Sequence, residues 1–133
     1  METTDVLIVD DDADLRRTLV LLLEKNYRVI AAASGAEALR LLEAGRPRLI
    51  LLDITMPEMS GIDVLRAAKM TDPTLRIVML TSRTEIELAK TALDLGAVEY
   101  LTKPFDADFI RGEVLRLLAP PQKNDGGRPW RVA

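Results

Sequence analysis

The chain contains no cysteine and no histidine. Without thiols there are no disulfides and no thiolate ligands, which agrees with a reducing compartment. Without imidazole there is no histidine metal site and no Ser-His-Asp triad, and the chain cannot itself carry a phosphohistidine. Long apolar runs are missing too: no uncharged stretch approaches the roughly 20 residues that span a bilayer. The opening METTDVLIVDDD also lacks the basic region of a secretory leader. A cytoplasmic protein without membrane contact is expected. Nor is there a basic excess, because 18 Lys and Arg face 21 Asp and Glu for a net charge of -3. Such a surface carries no nucleic-acid footprint, so any DNA contact needs another domain.

What is present is material for a core. The 133 residues are 48% hydrophobic, enough for one core and too few for two ordinary domains. Short β-rich runs at Val6 to Val9, Arg28 to Ala32, Arg48 to Leu52, Leu75 to Leu80 and Val98 to Leu101 alternate with stretches of helical period. Leu15, Leu19, Leu22 and Leu23 form one apolar seam; Ala38, Leu41 and Leu42 form another. Ile86, Ala89 and Leu93, then Ile110, Val114, Leu117 and Leu118, repeat the pattern. Ser34 with Glu37 and Thr84 with Glu87 have the S/T-x-x-E form that opens helices, and Gly45 and Gly96 stand where two of them should stop. Five β-α pairs in this order predict an α/β domain. It is a flavodoxin-like doubly wound (βα)5 three-layer sandwich around a five-stranded parallel sheet, which binds ligands at the carboxyl ends of its strands. The domain is expected over 1–118. From Ala119, the Pro-, Gly- and charge-rich APPQKNDGGRPWRVA (119–133) reads as a C-terminal tail or linker stub.

The strand ends collect the chemistry. Asp10, Asp11 and Asp12 close the first strand, Asp53 the third and Thr81 and Ser82 the fourth, while Lys103 follows the fifth. Asp12 reads best as a helix cap. Carboxylates that converge on an apolar crevice repel one another, and a hard divalent cation relieves this. Mg²⁺ accepts one or two carboxylates together with phosphate oxygens. Asp10 or Asp11 with Asp53 supplies that set, Lys103 adds a compact positive charge, and the Thr81 hydroxyl can donate to a phosphoryl oxygen.

With VDDD at 9–12, LLDITMPEMSG at 51–61, MLTS at 79–82 and YLTKPF at 100–105, the sequence resembles the receiver domain of bacterial response regulators from about Asp5 to Leu118. The resemblance implies that Asp53 is the phosphoacceptor and that Lys103 and Thr81 assist it. Asp10, Asp11, Asp53 and the Thr55 backbone carbonyl are then the ligands of Mg²⁺, with Mn²⁺ as an alternative. It also implies a switch pair, Thr81 and Tyr100, a cis peptide before Pro104, and rate-tuning side chains at Thr55 and Arg83. The implied phosphoryl donor is a sensor histidine kinase or a histidine phosphotransfer protein. The output is a downstream protein bound on the face of the fourth helix, fifth strand and fifth helix. Such a domain assists its own phosphorylation and dephosphorylation and turns over no free substrate. The winged-helix subfamily pairs charges across a dimer on that face, but Val98, Glu99 and Glu113 occupy the corresponding positions here, so a monomer or weak homodimer is expected.

Three rivals fit less well. A haloacid-dehalogenase-like phosphatase wants a second Asp where Thr55 stands. A flavin- or nucleotide-binding module needs a phosphate loop in place of DDDADLRR. A pseudo-receiver that works without phosphorylation has no need of the intact acid, Thr and Lys set.

Overall fold

The computed structural model describes residues 4–119. Its strands are β1 (Val6–Val9), β2 (Val29–Ala32), β3 (Leu49–Asp53), β4 (Arg76–Thr81) and β5 (Glu99–Thr102). The helices are α1 (Ala13–Leu23), α2 (Gly35–Ala44), α3 (Gly61–Thr71), α4 (Ile86–Asp94) and α5 (Ala107–Leu118), with a 3₁₀ turn at Arg83–Glu85. All strands run parallel in the order β2-β1-β3-β4-β5. The flavodoxin-like α/β fold is therefore the one found. Winding reverses between β1 and β3, which opens a crevice at their carboxyl ends.

Alternation along each strand divides the apolar residues between two layers of helices. Leu7, Val9, Ile50, Leu52, Ile77 and Met79 pack with α2, α3 and α4 through Ala38, Leu42, Val64, Leu65, Ala89 and Ala92. Val6, Ile8, Leu49, Leu51, Val78 and Leu80 face α1 and α5 through Leu19, Leu23, Ile110 and Val114. The inner strands β1, β3 and β4 are thus buried on both sides, which explains why they read as apolar runs, whereas the edge strands β2 and β5 are only partly covered.

Most helix starts follow their local signals. Asp12 accepts from the Asp14 and Leu15 amides, Ser34 from Glu37, and Asp106 from Phe109. Ser60 and Asp63 form a capping box at α3, which begins at Gly61. The Thr84 and Glu87 box, in contrast, does not form. A 3₁₀ turn occupies that place, and Glu85 precedes α4 with no side chain capping it. Leu93 also departs from expectation: it is exposed, because α4 lies on the sheet through the small Ala89 and Ala92 and Leu93 falls about 100° around the helix from Ala92.

Glycine is indispensable at Gly61. Its amide donates to the Ile54 carbonyl at 2.6 Å, and a Cβ there would lie 2.1 Å from the Asp53 carbonyl oxygen. Backbone cannot yield as a flexible side chain does. Gly61→Ala is expected to cost about 3 kcal/mol in urea denaturation, at the upper end for overpacking. Gly45 ends α2 in extended backbone, whereas Gly96, just after α4, has φ +112.

Candidate functional site

Three predicted strand spans stop one residue short of the observed ends, and two of the omitted residues matter. Asp53 and Thr81 are the last ladder residues of β3 and β4, where Asp53 pairs with Leu80 and Thr81 with Thr102. Their backbones are therefore held by the sheet rather than by loops. Asp10 follows β1 directly, and its amide donates to Ala32. Asp10 and Thr81 are fully buried, and Asp53 is 5% exposed.

Lys103 joins the two buried acids. Its Nζ donates to Asp10 Oδ2 at 2.9 Å and to Asp53 Oδ1 at 3.1 Å. The other Asp10 oxygen accepts the Asp12 amide at 2.9 Å, and Arg16 Nη1 holds the Asp10 carbonyl at 2.8 Å. Nothing in the sequence marked Arg16. Lys103 is itself fixed through its amide, which donates to the Thr81 carbonyl at 2.7 Å, and its peptide bond to Pro104 is cis.

The charges do not balance. Among the described residues, Asp10, Asp11 and Asp53 each offer a carboxylate oxygen, all within 4.8 Å of one another, against one ammonium. Burial, and then the charge of Asp10, push the Asp53 carboxyl up to about 7, although Lys103 pulls the other way. For Lys103, burial works against the charged form, but the hydrogen bonds and charges of Asp10 and Asp53 outweigh it and its pKa is raised. Three hard oxygen donors beside an underneutralised crevice fit a hard divalent cation.

The remaining candidates lie around this centre. The Thr81 hydroxyl donates to the Ser82 carbonyl at 3.0 Å, and Tyr100 is half-buried against the cluster shared with α2, α3 and α4. Thr55 turns its hydroxyl to Glu85, which no local motif singles out, and Arg83 is exposed. Asp12 acts as the helix cap it was expected to be.

A family model described as the response regulator receiver domain matches residues 6–115. The chain belongs to the response regulator receiver family. Sporulation initiation phosphotransferase F of Bacillus subtilis is 36% identical to this receiver over 119 residues, which cover 89% of the chain and 96% of that protein. The transcriptional regulatory protein KdpE of Mycobacterium tuberculosis is 41% identical over 124 residues, covering 91% of the chain and 52% of its own length. The receiver therefore spans about half the length of that regulator. Among solved structures, the receiver domain of NtrX from Brucella abortus matches with a TM-score of 0.82 at 31% identity, covering 88% of this receiver and 100% of that chain. Among the described residues, no helix of the receiver is long and apolar enough to cross a membrane.

Proposed function

We propose that Asp53 accepts a phosphoryl group from a phosphohistidine on a sensor kinase or histidine phosphotransfer protein, in a cytoplasmic receiver unit spanning 1–118. The observation that carries this reading is the Lys103 bridge between two buried strand-end acids, with a third acid within 4.8 Å. Asp10, Asp11, Asp53 and the Thr55 carbonyl are the proposed Mg²⁺ ligands. An ion held there would supply positive charge that offsets the negative charge of the acceptor and of the incoming phosphoryl group.

A carboxylate oxygen of Asp53 attacks phosphorus. The new P–O bond forms as the P–N bond to the donor imidazole breaks, and the electron pair stays on that nitrogen. Lys103 follows the transferred oxygens and offsets their charge, so catalysis is chiefly positioning and electrostatics. A groove of about 800 Å³, lined by Leu15, Leu19, Leu22, Phe105 and Ile110, opens beside Lys103 and gives a donor protein an apolar seat. Water later hydrolyses the acyl phosphate, at a rate tuned by Thr55 and Arg83. The receiver thus resets itself without turning over free substrates.

The phosphoryl group adds charge of about -1.5 to -2 and strong acceptor oxygens. The Thr81 hydroxyl leaves the Ser82 carbonyl for a phosphoryl oxygen, and Tyr100 turns inward behind it. The change is read by a protein partner on the α4, β5 and α5 face. Arg116 there already bonds Glu99 and Glu113, each at 2.6 Å, which favours partner binding by a monomer or weak homodimer over a charge-paired dimer.

Incubation with acetyl phosphate and Mg²⁺, followed by intact mass, tests the reading. The wild type should gain one phosphoryl group and Asp53→Asn none. No gain in the wild type overturns the proposal.

A further inference from the structure

The segment that joins β4 to α4 contains two exclusive sets of hydrogen bonds, and the structure forms only one. In that set, the half-buried Glu85 accepts from Thr55 Oγ1, on the loop after β3, and from Ser82 Oγ at 3.3 Å. Ser82 Oγ also meets Thr84 Oγ1 at 2.9 Å, and the Glu85 amide closes the 3₁₀ turn onto the Ser82 carbonyl at 3.1 Å. Glu85 thereby ties together two of the loops that flank Asp53. The same Ser82 carbonyl accepts the Thr81 hydroxyl.

The unused set is written in the sequence. Thr84 and Glu87 have capping-box spacing, and a helix that began at Glu85 would have Thr84 as its cap and Glu87 at the third helical position. Forming that box requires Thr84 to leave the 3₁₀ turn for extended backbone and Glu85 to become helical. Either change withdraws Glu85 from Thr55 and Ser82. As it stands, α4 begins with no side-chain cap, so the structure forgoes a local interaction to keep the tie.

We propose that Glu85 is a positioning residue, a latch that holds the unphosphorylated state. Phosphorylation trades its bonds to Thr55 and Ser82 for the Thr84–Glu87 capping box. This rests on Asp53 being the phosphoacceptor and names how that event reaches α4. A phosphoryl group on Asp53 repels the Glu85 carboxylate and draws the Thr81 hydroxyl away from the Ser82 carbonyl. Both effects loosen the turn that the latch closes. Freed residues 83–85 then lengthen α4 by one helical residue at the end nearest the site, which converts a local charge into a displaced helix start.

The test is the affinity for beryllofluoride, a phosphoryl mimic, in Mg²⁺ buffer. Glu85→Ala removes the latch and should tighten binding about fivefold, the worth of roughly one helix cap. Glu87→Ala removes the capping box together with the exposed Glu87–Lys90 pair at 3.6 Å, and should weaken binding by a similar factor, although a lost negative charge alone would strengthen anion binding. Glu87→Gln keeps the box and should bind as the wild type does. Thr55→Val should tighten binding on its own and add nothing to Glu85→Ala. An unchanged or weakened Glu85→Ala, or a Glu87→Ala that is unchanged or tightened, overturns the latch. If the wild type takes up neither beryllofluoride nor a phosphoryl group, the acceptor reading fails instead. Amide exchange of residues 82–87 in metal-free protein then judges the latch alone: faster exchange in Glu85→Ala supports it, and an unchanged rate overturns it.

Discussion

Lys103→Met should cost the metal-free protein about 3 kcal/mol of stability at pH 8, the lower end for stranding a buried charge. Among the described residues, the lysine is the only ammonium on two acids that have almost no access to water: Asp10 is fully buried and Asp53 is 5% exposed. Methionine fills much of the same volume, so the loss is electrostatic rather than a cavity. Two controls separate the causes. Mg²⁺ should restore most of the stability, since a cation bound among Asp10, Asp11 and Asp53 replaces the missing positive charge. Adding Asp53→Asn should also recover much of it, because one of the facing charges is then gone. Urea denaturation with and without Mg²⁺ reads both, and a loss that neither Mg²⁺ nor Asp53→Asn reduces means that Lys103 acts through packing.

Asp53→Asn should do the reverse and stabilise the metal-free protein at pH 8. The folded Asp53 carboxyl lies at about 7, above its ordinary 3.8, because burial and the Asp10 charge disfavour its ionised form. The folded state therefore holds a proton that the unfolded chain releases, and stability falls as pH rises between those two values. Below about pH 4 both states are protonated and the penalty vanishes; above about pH 7 it is complete. Asparagine removes it, for a gain of about 2–4 kcal/mol at pH 8 that shrinks by more than half at pH 5. Mg²⁺ should narrow the difference by stabilising the wild type more than the variant. Thermal or urea melts at the two pH values decide this, and a gain that does not depend on pH would assign the effect to something other than ionisation. The ground state is thus strained electrostatically at the proposed acceptor, a common cost of a prepared site.

The sequence by itself determined the fold and which candidate residues stand at its strand ends. Parallel strands buried on both faces read as apolar runs such as Leu49–Leu52, and helices beside them repeat at 3.6 residues, so both periods are local and visible. Asp10, Asp53, Thr81 and Lys103 were legible because strand ends in this topology converge on one edge.

Tertiary structure alone decided the rest. The Thr84–Glu87 signal was overridden because Glu85 finds partners in Thr55 and Ser82, 30 and 3 residues away in sequence. Leu93 was misplaced because the approach of α4 to the sheet is set by Ala89 and Ala92, and a small residue gives a weak periodic signal. The joining of Asp10 to Asp53 through Lys103 spans 93 and 50 residues, and the raised Asp53 carboxyl follows from that burial. Charge and spacing are properties of the chain, whereas desolvation and the contest between hydrogen-bond partners exist only once distant segments meet.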